Sequence, residues 1–176
     1  VPAARACVVC LILAQSLTAA ELTEPASDKR TFSVRSRLQV AGTIQTATPG
    51  GKSIGLKMNV DAKLSYLERR LPSGGKGAES LRSMRKYDIA EAAIDIGGRK
   101  TTNRLSTART LIVAEGQRPG VRTWSPAGPM TYDHLELLRT PGDSLALMGL
   151  LPTGKVTSTS SWTPPDWVIS MLTGVE

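Results

Sequence analysis

From Phe32 the chain alternates between apolar and polar residues. Even positions carry Phe32, Val34, Ser36, Leu38, Val40, Gly42 and Ile44, while the odd ones carry Arg35, Arg37, Gln39 and other mostly polar residues. A two-residue period marks a strand with one buried face. Pro49-Gly50-Gly51 interrupts it. The period resumes through Ile54, Leu56, Met58, Val60, Ala62, Leu64 and Tyr66, with Lys57, Asn59, Asp61, Lys63 and Ser65 between them. Two such runs around a Pro-Gly-Gly turn predict a long antiparallel hairpin. Both exceed the usual strand length of about five or six residues, which suits a curved sheet or half-barrel.

Pro72 to Gly77 reads as a loop. The stretch from 80 to 95 mixes periods. Leu81, Met84, Tyr87 and Ile89 partly fit a helix, whereas Tyr87/Ile89 and Ala92/Ile94/Ile96 fit a strand with one slip of register. A strand from about 83 to 96 with a bulge near Ala90 is the reading adopted. Gly97-Gly98 turns the chain toward 100–105, and 110–115 forms a further short strand closed by Arg118-Pro119-Gly120.

Beyond Pro126 the chain changes character. Thr131 can cap a helix through Arg139, with Asp133 in its first turn and Leu135 and Leu138 toward the sheet. Residues 144–151 predict another short helix before Pro152, and 155–162 an edge strand or loop. Pro164-Pro165-Asp166 starts a last helix through Leu172. The expected fold class is α+β: a curved antiparallel, half-barrel-like β-sheet of about five strands with two or three short C-terminal helices.

Ahead of this domain, Arg5 precedes the apolar run Ala6 to Ala14, followed by small residues and the polar Glu21. That order predicts a secretory signal peptide over residues 1–20, cleaved after Ala20 or Ala19. The run is too short for a transmembrane span. Residues 21–31 read as a flexible leader and 32–176 as a single β-rich domain, a possible N-terminal part of a longer protein. Localisation is then secreted or periplasmic. Cleavage removes Cys7 and Cys10, so no disulfide staples the mature chain. Nor can two cysteines complete a zinc site by themselves.

Charge narrows the partners. Arg5 is the one basic residue in the signal, so 21 basic residues of the 22 face 15 acidic ones in the mature chain, a balance of +6. This favours acidic polymers or phospholipid head groups, and export makes an acidic envelope polymer a better partner than nucleic acid. Aromatic residues make up only 4% of the chain, too few for a stacking surface.

Candidate chemistry thins out on inspection. Asp95-Ile96-Gly97-Gly98 resembles the phosphate-binding hairpin of sugar kinases and actin-like ATPases, but Arg99 stands where that family has a hydroxyl residue, and only about 80 residues follow, too few for a two-lobed nucleotide fold. The same glycines suit an ordinary hairpin turn. An aspartic protease would need a hydroxyl residue at Ile96 and a second copy. His134 is the only histidine. Its neighbour Asp133 would point to another side of a helix, and no nucleophile elbow is present. Catalytic residues, metal ligands and cofactors are therefore all expected to be none.

The order of features resembles that of uncharacterised exported proteins of planctomycete-type bacteria. The matching pieces are the signal peptide, Leu64-Ser65-Tyr66-Leu67-Glu68-Arg69, Leu111-Ile112-Val113-Ala114, Pro141-Gly142-Asp143-Ser144-Leu145-Ala146-Leu147, Leu150-Leu151-Pro152 and Trp162. The resemblance implies export and a β-rich fold. It implies no activity and no site.

The functional expectation is an exported, non-enzymatic binding or envelope-associated domain. In its sharper form it is an apolar-ligand carrier for a lipid or other apolar small molecule, as exported half-barrels with helical lids suggest by analogy. Leu56, Met58, Val60, Tyr66 and Trp124 are the candidates for its concavity. Arg82, Arg85 and Lys86 are the candidates for an anion-attracting patch. The alternative is a secreted hydrolase with an unrecognised site.

Overall fold

The computed structural model describes residues 20–21, 30–48, 50–72, 81–117, 120–152 and 154–173. The expected signal peptide, Ala20 apart, and most of the leader lie outside the described residues. So do Pro49, positions 73–80 and Arg118-Pro119.

The elements in order are β1 (Ala20–Glu21), β2 (Thr31–Ala47), β3 (Ser53–Arg70), β4 (Arg82–Ile96), β5 (Arg99–Arg104), a 3-10 turn (Thr107–Arg109), β6 (Leu111–Gly116), β7 (Val121–Trp124), α1 (Tyr132–Leu138), α2 (Ala146–Gly149), β8 (Lys155–Val156) and α3 (Asp166–Thr173). Six strands form one antiparallel sheet in the order β2-β3-β4-β6-β7, and β5 pairs with the distal part of β4. This is the expected α+β fold with a curved sheet. It has one strand more than anticipated, because β7 returns after Gly120. A small second sheet pairs β1 with β8.

The β2–β3 hairpin keeps perfect register from Thr31↔Arg69 to Ala47↔Ser53. Side chains at even positions of β2 and β3 share one face, called inner here, and the odd ones share the outer face. On β4 the bulge lies across Ser65/Tyr66, where Ser65 faces Ile89 and Tyr66 faces Tyr87, so Asp88 is the extra residue. The bulge restores the inner face to Tyr87, Arg85 and Ser83 after Ala92 and Ala90. Without it, the charged side chains of β4 would change faces.

Helix α1 covers the middle of the inner face. Its Leu137 and Leu138 pack on Ala62, Leu64, Tyr66, Tyr87, Ala90 and Ala92. The buried pair is thus Leu137 and Leu138, whereas Leu135 is only half-buried. Thr131 caps the helix as anticipated, its hydroxyl accepting from the His134 N–H at 3.3 Å. A second core joins Leu81 and Ala114 to Leu145, Ala146, Val168 and Met171 beneath α2 and α3. Among the described residues, no helix lies on the inner face of the distal half of the hairpin.

Candidate functional site

Between the two cores, charge lies buried on the inner face. Alternation carries β3 past Tyr66 to Glu68 and Arg70, which are 1% and 6% exposed. Directly across the strand pair stand Arg85 and Ser83. The turn at Pro141-Gly142-Asp143 lowers Asp143 and Ser144 onto them, and the Gly142 N–H donates to the Leu172 carbonyl of α3 at 2.8 Å. Gly142 has φ +80°, a conformation glycine adopts without strain. Arg85 donates to both carboxylate oxygens of Asp143, at 2.9 and 2.5 Å, and lies 3.2 Å from Glu68. Arg70 lies 2.5 Å from Glu68 and donates to the Ser144 carbonyl at 2.9 Å. The Ser144 hydroxyl donates to Glu68 and meets the Tyr66 hydroxyl at 3.0 Å. Above Tyr66 the Arg85 guanidinium stacks 5.2 Å from the ring centroid.

Two cations and two carboxylates balance within this cluster. Burial on its own pushes the Asp143 carboxyl up. The charge and hydrogen bonds of Arg85, the Leu145 N–H and Arg70 outweigh that and hold it below the usual carboxylate range. For Arg85, burial is likewise outweighed by Asp143, and the guanidinium stays firmly charged. Burial pushes the Tyr66 and Tyr87 phenols upward. The charged side chains of the cluster are at most 8% exposed, and they fasten the 141–145 loop to the sheet.

The open part of the inner face is different. Beyond α1 the rows read Val40–Val60–Ile94–Thr101, Gly42–Met58–Ile96–Arg99, Ile44–Leu56 and Thr46–Ile54. Val40, Ile44 and Ile54 are 38%, 37% and 43% exposed, and Leu56, Met58, Val60, Ile94 and Ile96 are half-buried. A Cβ at Gly42 would meet nothing within 4 Å, so the face is open above this position. The strip runs about 20 Å along β3 and about 10 Å across three strands. Arg99 flanks it beside Ile96 in the Met58 row, and no described carboxylate pairs with that side chain.

The candidates from the sequence separate accordingly. Leu56, Met58 and Val60 stand together on this strip. Tyr66 shares the face but is sealed in the charged cluster. Trp124 pairs with Val113 on the outer face. Arg82 and Lys86 also face outward, Arg82 bound to Glu115 and Lys86 donating to the Thr110 hydroxyl at 2.6 Å. Arg85 points inward and is buried, so these three cations do not form one patch. Sequence reasoning missed Glu68, Arg70, Asp143 and Ser144. The available signal was alternation itself, which puts positions 68 and 70 on the face of Leu64 and Tyr66.

Comparison with protein-family models, curated proteins and solved structures finds no match. The remaining sequence motifs have local roles. Gly97 and Gly98, at φ +59° and +87°, make the two-residue turn between β4 and β5, and the Gly98 N–H donates to Asp95 at 3.0 Å. His134 is half-buried on α1, where the Asp133 carbonyl accepts from Asn103 at 2.7 Å. Among the described residues no group of three His, Cys, Asp or Glu side chains could hold a metal ion, and no helix is long and apolar enough to cross a membrane. A cleft of about 510 Å³ opens on the outer face, lined by side chains such as Gln39, Asn59, Asp61, Asp95 and Lys100.

Proposed function

We propose that this is an exported binding domain that carries an apolar ligand, a lipid acyl chain being the form that fits best. One observation carries the reading: a single sheet face is buried under a helix at its middle and left open and apolar at its distal end. Such a contiguous apolar surface marks a binding site more often than a solvated face. The strip is long enough for an extended acyl chain and wide enough to hold it. Arg99, at the side of the strip next to Ile96, suits an anionic head group. The export half of the proposal rests on the apolar segment at residues 6–14 and the small residues that follow it.

Native mass spectrometry of the protein recovered from an exporting host tests both halves. The expected spectrum shows a chain shortened at Ala19 or Ala20 together with a lipid-sized adduct. Titration with palmitate then locates the site: Met58→Glu should weaken binding at least tenfold, and Lys57→Glu on the opposite face should not. Palmitate binding that is unchanged by Met58→Glu would remove the strip as the site.

A further inference from the structure

The outer face of the sheet carries a second apolar array at its proximal end, away from both the strip and the cleft. Met84, Val113 and Trp124 stand in one row across β4, β6 and β7. Leu67 and Leu111 flank Lys86 in the next row, and Ile89 follows beside Ser65. Leu67, Met84 and Ile89 are 46%, 37% and 45% exposed. Neighbouring positions on the same face carry cations: Arg35 across Ser65 from Ile89, Arg69 opposite Met84, Lys86 between the leucines, and Arg122 over the Trp124 ring at 5.3 Å. Arg82 lies at the edge of the array, bound to Glu115. The carboxylates nearby among the described residues are Glu115, Asp88 on the bulge and Glu91, which pairs with Arg104, so positive charge prevails. Arg35 and Arg69 form no ion pair with a described residue.

We infer that this face docks on an anionic lipid surface. Apolar side chains and cations interleave there at strand spacing, about 5 Å across and about 7 Å along the sheet. At an anionic bilayer, Leu67, Met84 and Trp124 can enter the head-group boundary while arginine and lysine stay among the phosphates. Each basic residue near such a surface adds attraction, and the field falls off within a Debye length. The excess of cations across the array favours a uniformly negative partner over a second copy of this chain, which would meet it with the same net sign. This inference is independent of the acyl-chain strip, although both would serve one purpose if the ligand is delivered to a membrane.

Vesicle flotation of the full chain tests it. Vesicles containing phosphatidylglycerol should carry the protein upward, pure phosphatidylcholine vesicles should not, and raised salt should release it. The double variant Arg69→Glu/Lys86→Glu should lower binding at least tenfold, and Met84→Asp should lower it several-fold. Lys57→Glu/Lys100→Glu, the same charge change on the distal outer face, should lower it less than twofold. Thermal melts of each variant separate loss of binding from loss of fold. Equal binding to both vesicle types, or equal losses in the Lys57/Lys100 and Arg69/Lys86 variants, would overturn the docking face. If Met84→Asp keeps full binding while polyglutamate competes completely, the face reads acidic polymer and the lipid assignment fails.

Discussion

Arg85 and Asp143 meet in a bidentate pair at 2.9 and 2.5 Å, the guanidinium 1% exposed, although 58 positions separate them in the chain. The contact joins the start of β4 to a turn held by Gly142 at positive φ and by its bond to α3. A buried pair of this kind is weak evidence for net stability, because both charges lose water. Breaking it on one side is another matter. Arg85→Met leaves Glu68 and Asp143 buried without their common cation and should cost about 3–5 kcal/mol. Urea unfolding would measure it. The double variant Arg85→Met/Asp143→Leu should fall short of the summed single losses, since the partners act as one unit.

The same pair sets an acid limit. Asp143 has a folded pKa below its ordinary value of 3.8, so in the unfolded chain it takes up its proton first as pH falls. Its contribution is therefore complete above about pH 4 and is lost as pH drops through the folded value. Asp143→Asn should be less stable than the parent at neutral pH, with the gap narrowing below about pH 4. Urea midpoints across pH 2–7 would show this, and a gap that is constant down to pH 2 would deny it.

Helix α2 reaches α3 through a bare backbone. A Cβ on Gly149 would overlap Trp167 Cη2 and Val168 Cγ2. Gly149→Ala should then destabilise by about 1–3 kcal/mol despite its better helix propensity. Thermal unfolding gives the size of the effect, and a change in Trp167 emission would place it at this contact.

At the far end of β4, Gly98→Ala forces a side chain into φ +87° and should cost about 1 kcal/mol. The change lies outside both cores, so it should leave palmitate and vesicle binding intact.

Much of this architecture was legible where apolar and polar residues alternate without interruption. The hairpin register, the inward direction of Leu56, Met58 and Val60, and the slip near Ala90, found at Asp88, all follow from period two. Legibility failed where burial and polarity part company. Glu68 and Arg70 look like surface residues and end the apolar run, yet β3 continues through both, because the charges that neutralise them arrive from positions 85 and 143. Strand β7 was missed because Val121 to Trp124 is too short to establish a period. With it went the direction of Trp124, and hence the outer array. Leu135 and Leu138 were the expected buried pair on α1. The helix turns slightly further and buries Leu137 in place of Leu135.

Strand β2 has a neighbour on one side only among the described residues. In an antiparallel ladder, successive amides of such a strand point alternately to the partner and to water. Hydrogen–deuterium exchange along positions 31–47 should therefore alternate between slow and fast, a rhythm at single-residue spacing that no interior strand would show. A strand lent by another chain would silence it, turning the fast amides slow while leaving the rest of the sheet unchanged.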